Sequence, residues 1–514
     1  MAGDRAGVPG IDAREEEKGV RMAQNHPSRR QFLRAAAAGI AAGTAPSVLL
    51  GQSSVSHSPQ PKADAEKNPN ILWVYLEDTC PWMSCYGDKV IETPNIDALA
   101  ERGVRFDRAY MPAPVCSPTR SAVITGMYQT SIGAHEHYSS FQTWRGNVME
   151  TWDPNHLGIR TLPEIFKAAG YYTFNEGKNH YNFVFSDEDL YDRKGGNGFK
   201  GAKNGTGWSG RAPDQPFFGQ IQLRGGKRGD APKKTDPARV PVPPYYPDHP
   251  VYREDIAHHY DTILKMDEIL GEIVARLKED GLYDNTVVFF FSDHGMRLPR
   301  HKQFAYEGGI RVPLVVAGPK VPAGEVRTDL VSGIDISAAT LALAGIDVPD
   351  HMHGRDLFAK DFHRDYVISA RDRCDFTIDR IRAVVTDRYK YIRNFMTDRP
   401  YLQPQYRDGW ETMKLLKQLY REGELNDVQA RFVSDERPAE ELYDLQSDPH
   451  ETQNLVHSWK REHAMALGRL RSILDRWIIE TDDKGRFPES DEALKAVVDR
   501  WGDQAVCPEY KRVR

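Results

Sequence analysis

Short, continuous apolar runs alternate with amphipathic stretches along most of this chain. Residues 70–76 (NILWVYL) form one such run, which stops at Glu77-Asp78. A run that is apolar at every position predicts a strand covered on both faces. Its carboxylates then stand at the C-terminal end. Residues 286–291 (TVVFFF) repeat the pattern and lead into Asp293-His294. Residues 171–175, 215–223 and 312–317 predict three more strands. Between them, residues 94–102 open with proline and are stopped by Gly103. Residues 161–170 carry a threonine cap, an early glutamate and a terminal glycine. Both stretches predict helices, and residues 253–280 carry a longer helical period. Strands alternating with helices imply an α/β domain around a large, mostly parallel sheet flanked by helices. Ligands of such sheets sit at the C-terminal strand ends, which singles out Glu77-Asp78 and Asp293-His294.

The pattern changes along the chain. Residues 185–255 are rich in Gly, Pro, Lys and Asp and predict long surface loops around one strand. From about residue 365, three short strands (366–370, 381–385 and 389–392) precede a helix near 458–480. This predicts a smaller C-terminal α+β subdomain with an antiparallel sheet over 365–480, after a catalytic domain over 69–364. Residues 481–514 read as a charged tail. At the other end, Arg29-Arg30 precede Phe32-Leu33 and an Ala/Gly-rich run to residue 45. This resembles a bacterial twin-arginine signal over residues 1–45, followed by a polar linker over 46–68. The resemblance implies the twin-arginine export machinery as a partner and a periplasmic or extracellular destination. The apolar run is too short and weak to span a membrane stably.

Composition narrows the classes. Of 514 residues, 40% are hydrophobic and 28% charged, with a net charge of −6. That excludes collagen-like, disordered and disulfide-scaffold chains. It supplies no basic field for nucleic acid, so no nucleic-acid partner is expected. Five cysteines, an odd number, do not make a disulfide framework.

One of those cysteines stands in a specific motif. Residues 114–126 read Pro-Val-Cys-Ser-Pro-Thr-Arg-Ser-Ala-Val-Ile-Thr-Gly. The run resembles the signature of type I sulfatases, within the alkaline phosphatase-like superfamily: Cys-x-Pro-x-Arg, a helix, then Thr-Gly. The resemblance implies that Cys116 is oxidised to formylglycine (3-oxoalanine) by a formylglycine-generating enzyme. The aldehyde hydrate is then the nucleophile. Arg120 follows one helical turn later, where its guanidinium can lean over the nucleophile. Its replacement is expected to cost turnover far more than stability.

Further resemblances follow in order along the chain. Glu77-Asp78 looks like the family's paired acidic metal ligands, usually Asp-Asp. Asp293-His294 looks like the second metal pair. By resemblance the ion is calcium; His294 leaves manganese or another divalent ion open. Gly177-Lys178-Asn179-His180 is similar to the family's Gly-Lys-x-His, in which Lys binds sulfate and His is a base. Lys302 matches a sulfate-binding lysine. Counting from Pro216-Phe217-Phe218 lands on Lys227 where the family has the histidine that protonates the leaving group. Either Lys227 fills that role or His301 does. The stretch from Thr125 to His137 is closest in look to heparan N-sulfatase (sulfamidase)-like bacterial members. This implies a sulfated carbohydrate substrate, with an O-sulfate ester or an N-sulfamate bond. His135, His137, Arg371, Asp372, Arg373 and Asp375 are candidates either for sugar contacts or for solvated surface positions. Two alternatives stay open: a phosphomonoester or phosphonate hydrolase of the same superfamily, and an inactive glycan-binding homologue.

Overall fold

A computed structural model describes residues 68–137, 159–183, 185–196, 207–227 and 229–514. The twin-arginine segment and residues 46–67 of the linker lie outside the described residues. Strands of the two larger sheets are numbered in chain order. The main sheet holds β1 (Asn70–Leu76), β2 (Gly103–Phe106), β3 (Tyr172–Glu176), β4 (Arg193–Gly195), β5 (Phe217–Leu223), β6 (Thr286–Ser292), β7 (Leu314–Ala317) and β8 (Glu325–Arg327). Their order across the sheet is β8-β2-β7-β6-β1-β5-β3-β4. β6, β1, β5, β3 and β4 run parallel as consecutive neighbours, while β7 is antiparallel to both of its neighbours. The fold class is therefore the α/β one that the alternation implies.

β1 explains why the sheet is buried on both sides. All seven of its residues are buried. Leu72, Val74 and Leu76 enter one core with Ile256, Ile263 and Leu270 of the long helix Pro250–Glu279. Ile71, Trp73 and Tyr75 enter the other core with Val123, Ile124, Phe166 and Ile336. Alternate side chains of a strand point to opposite faces, so one continuous apolar run feeds two cores. Trp73 also satisfies its indole by donating to Thr340 Oγ1 at 3.0 Å.

The apolar run 312–317 divides at Pro313. Arg311–Val312 pairs in a three-stranded sheet with Ala109–Tyr110, which also pairs with Val331–Ser332, and β7 starts at Leu314. Proline has no N–H for a ladder, which accounts for the break. The second large sheet is antiparallel: β9 (Val367–Arg371), β10 (Ile381–Val385), β11 (Tyr389–Asn394) and β12 (Glu440–Asp444). Helix Arg461–Glu480 packs on it through Leu470, Leu474 and Trp477. Residues 481–514 hold helix Asp491–Trp501, whose Leu494 and Val497 pack with Phe376 and Ile378. Lys67–Arg514 forms one compact unit.

Candidate active site

Four adjacent parallel strands deliver the chemistry. In register, Leu76 of β1 pairs with Ser292 of β6 and Leu223 of β5, and Ile221 of β5 pairs with Glu176 of β3. The strands therefore end side by side. Glu77-Asp78 follow β1, Asp293-His294 follow β6, Lys178 and His180 follow β3, and Lys227 follows β5. The turn after β5 needs its glycines. Gly225 has φ +48°, and a Cβ there would lie 2.0 Å from Glu77 O. Gly226 N–H donates to Glu77 O at 2.9 Å, which swings Lys227 back over the end of β1.

Cys116 opens the helix Cys116–Thr125, and all ten of its residues are buried. No side chain caps its first turn, so its N-terminal amides add partial positive charge where an anion would sit. The helix ends at Gly126, in the left-handed region at φ +68°. Arg120, 1% exposed, donates through Nε and Nη2 to Asp293 Oδ2 at 3.2 and 3.0 Å and through Nη1 to Gln222 Oε1 at 2.6 Å. It also lies 3.8 Å from Glu77 and over the Tyr75 ring.

Lys302 donates to both oxygens of Asp78, at 3.1 and 2.9 Å. Lys227 Nζ stands 3.1 Å from Glu77 Oε2 and 3.9 Å from Cys116 Sγ, and Lys178 Nζ is 3.4 Å from Glu77 Oε2. Burial alone would push the Cys116 thiol up. The surrounding Lys178, Lys227 and Lys302 outweigh it and hold the group well below its usual range. Glu77 behaves alike: burial opposes its charge, but Lys178, Lys227 and Arg120 hold it ionised. The site is built to keep negative charge at position 116. Arg120 and Lys302 are sealed inside, whereas the side chains of Lys178 and Lys227 stay 21% and 24% exposed. The two lysines therefore face the way in for an anionic substrate.

Oxygen and nitrogen atoms of Asp78, Asp293 and His294 gather with Cys116 Sγ, all within 4.8 Å of one another. His294 Nδ1 lies 2.8 Å from Gly295 O; a carbonyl only accepts, so Nδ1 carries its proton there and Nε2 is the nitrogen turned toward the carboxylates. Nε2 is buried, has no hydrogen-bond partner among the described residues, and lies 3.3 and 3.5 Å from Asp78 and Asp293 oxygens. Two carboxylates and an imidazole nitrogen converging in this way fit a divalent cation. The Glu77 carboxylate is not in that group; it faces the two lysines. The metal reading predicts a measurable linkage. Chelator-treated protein should melt lower than protein in calcium or manganese, because an ion at about 100 times its Kd adds about 2.7 kcal/mol. Scanning calorimetry with each ion added back checks this, and curves that overlay throughout would remove the metal.

The remaining sequence candidates divide. His137 joins the centre: its Nε2 lies 4.0 Å from Cys116 Sγ, its Nδ1 lies 3.3 Å from Asp375 Oδ1, and its ring is 5.3 Å from that of His180. His301 does not. Its Nε2 is 2.8 Å from Tyr245 Oη and its Nδ1 3.9 Å from Cys80 Sγ, so the ring points into a separate cavity of about 530 Å³. Arg371, Arg373, His135, Asp372 and Asp375 are neither solvated nor open to a sugar. Arg371 pairs with Asp379, Arg373 with Glu136 and half-buried Glu489, and Asp372 with Arg382. His135 sits against Glu136 at 3.5 Å. Sequence reasoning missed Gln222 and Arg407. Gln222 had a signal, one of two glutamines inside a buried strand. Arg407 had none. It reaches from beyond β11 to donate to Arg297 O and Lys302 O at 2.7 and 2.9 Å, fixing the loop that carries Lys302.

An α/β sheet whose strand ends gather around a buried cysteine, four cations and a carboxylate–imidazole group able to hold a cation suits the hydrolysis of an anionic ester. The comparisons agree. The sulfatase family model matches residues 69–346, and the model for the C-terminal region of N-sulphoglucosamine sulphohydrolase matches residues 294–435. The chain belongs to the sulfatase family. It is 33% identical to an ulvan-active sulfatase of Formosa agariphila, over 83% of this chain and 77% of the relative. It is 26% identical to N-sulphoglucosamine sulphohydrolase of Homo sapiens, over 80% of this chain and 90% of the relative. A protein solved with its substrate D-glucosamine-2-N,6-O-disulfate shares the fold, with a TM-score of 0.58 at 18% identity over 81% of this chain and 99% of that one.

Proposed function

We propose that this sulfatase removes sulfate from a sulfated carbohydrate after Cys116 has been converted to formylglycine. The observation that carries the reading is the placement of Cys116 among Arg120, Lys178, Lys227 and Lys302 beside the Asp78–Asp293–His294 group. Converted and hydrated, position 116 supplies two oxygens, one to attack sulfur and one to expel the sulfate afterwards. A calcium ion, with manganese as the alternative, would supply positive charge at the attacked group. The residues do the rest. Arg120 and Lys302 hold fixed charge beside position 116 and need no reorganisation when charge develops. Lys178 and Lys227 meet the incoming sulfate. His180 is placed to take a proton from position 116. A formylglycine-generating enzyme is the partner this chemistry requires.

Carbohydrate is favoured because relatives over most of the chain are named for ulvan and for N-sulphoglucosamine. O-sulfate and N-sulfamate bonds both fit the site. The Arg29-Arg30 segment supports export of the folded protein by the twin-arginine route. Peptide mass analysis around Cys116, in protein from a host with the generating enzyme, should show loss of the thiol and gain of an aldehyde. That protein should release sulfate from ulvan or heparan fragments. An unmodified thiol together with faster cleavage of aryl phosphate than aryl sulfate would instead favour the phosphoester reading.

A further inference from the structure

We propose that His137, oriented by Asp375, is the proton donor to the leaving group, a role that position 227 does not fill in this chain. The inference rests on the sulfatase chemistry proposed above. Among the described residues, three other groups compete for the role. Lys227 is committed to Glu77 at 3.1 Å, and an ammonium paired with a carboxylate parts with its proton poorly near neutrality. His301 is turned away toward Tyr245. His180 follows Lys178 on the β3 turn, where it serves as the base for position 116.

His137 is built into place from several sides. Its N–H donates to Arg373 O at 2.9 Å, and Asp375 N–H donates to His137 O at 3.2 Å. Asp375 holds a left-handed backbone at φ +52°, a conformation that a non-glycine residue keeps only where its surroundings impose it. Arg373, whose carbonyl carries the bridge, is itself clamped by Glu489 at 2.9 Å. The ring then has one nitrogen 3.3 Å from a buried carboxylate and the other 4.0 Å from Cys116 Sγ. That second distance is within hydrogen-bonding reach of sulfur and puts Nε2 beside the position where the sulfuryl group is transferred. Burial disfavours the charged imidazole, while the Asp375 carboxylate at Nδ1 favours it.

The step balances. As an oxygen at position 116 bonds to sulfur, the bond from sulfur to the sugar oxygen or nitrogen breaks. The electron pair stays on the leaving atom, which takes the proton from His137 Nε2. His137 is left neutral and regains a proton from water once the sugar has departed.

The test is a series of aryl sulfates of falling leaving-group acidity, from 4-nitrophenyl to 4-methylphenyl, with wild type, His137→Gln, Asp375→Asn and Lys227→Ala. A lost proton donor matters most for the poorest leaving group. His137→Gln should lose about 100-fold or more in kcat/KM on 4-methylphenyl sulfate and under tenfold on 4-nitrophenyl sulfate. Asp375→Asn should show the same tilt, less steeply. Binding of phenyl sulfate to Cys116→Ala protein, which has no nucleophile at that position, should change by less than about threefold when His137→Gln is added, read by calorimetry. That binding also reports whether the variant is folded. Equal losses across the series, or a binding loss as large as the rate loss, would overturn the proposal. So would a selective loss confined to Lys227→Ala. Wild-type protein that cleaves no aryl sulfate would sink the sulfatase reading as well, whereas wild-type turnover with an untilted His137→Gln series sinks this inference alone.

Discussion

Replacing Cys116 with alanine is expected to lower kcat by about 10⁴-fold or more while leaving the melting temperature within a few degrees of wild type. Removing the nucleophile of a covalent mechanism costs the whole covalent route, and residual binding groups recover little of it. Stability should barely move, because the residue is small and its packing partners are Val115 and Cys374. The change also removes an anion from among three lysines, but two of these keep carboxylate partners at Glu77 and the third keeps Asp78. Initial rates on an aryl sulfate and a thermal melt of the same sample decide the matter. Activity above about 1% of wild type would show that another group attacks sulfur.

Arg120→Ala is expected to lose about 10²–10³-fold in kcat and, unlike the cysteine variant, to melt lower by several degrees. From the sequence alone, Arg120 looked like a residue whose loss would spare the fold. The structure changes that expectation. Arg120 is the partner of fully buried Asp293 through two hydrogen bonds and also holds Gln222. Breaking such a pair strands a buried carboxylate, at about 3–5 kcal/mol. Arg120→Lys keeps the charge but not the two-pronged fork, so it should recover much of the stability and little of the rate. A variant that melts like wild type yet is inactive would show that Asp293 finds its compensation elsewhere, with the metal the first candidate.

The two variants mark where sequence reading works. The strands, the order of the main motifs and the gathering of Glu77-Asp78, Lys178, His180 and Asp293-His294 at strand ends were legible, because apolar runs and parallel topology leave few choices. Pairings that cross the chain were not. The Arg120–Asp293 fork joins residues 173 positions apart, and the bridge from His137 to Arg373 and Asp375 depends on how the second sheet docks. No local pattern encodes either. The same blindness left Arg371 and Arg373 open as sugar contacts or solvated surface positions, when both are buried in ion pairs. A charged side chain in a strand looks the same in sequence whether it meets solvent or a buried partner.

The complete burial of the Cys116 helix also sets a clock. Once the sheet, the helices and the C-terminal segment close over it, Cys116 is 1% exposed, and no second protein can reach its Cβ. Any enzyme that rewrites that side chain has to act on the nascent or still unfolded chain. The partner that completes the His137 bridge, Glu489, is translated some 370 residues after Cys116, roughly 20 to 75 s later at about 5–20 residues per second. If Cys116 is converted as proposed, modification competes with folding, and faster folding or slower capture of the chain would yield a well-folded protein that carries an ordinary thiol. Expression temperature and the supply of the modifying enzyme should set specific activity without changing the amount of soluble protein.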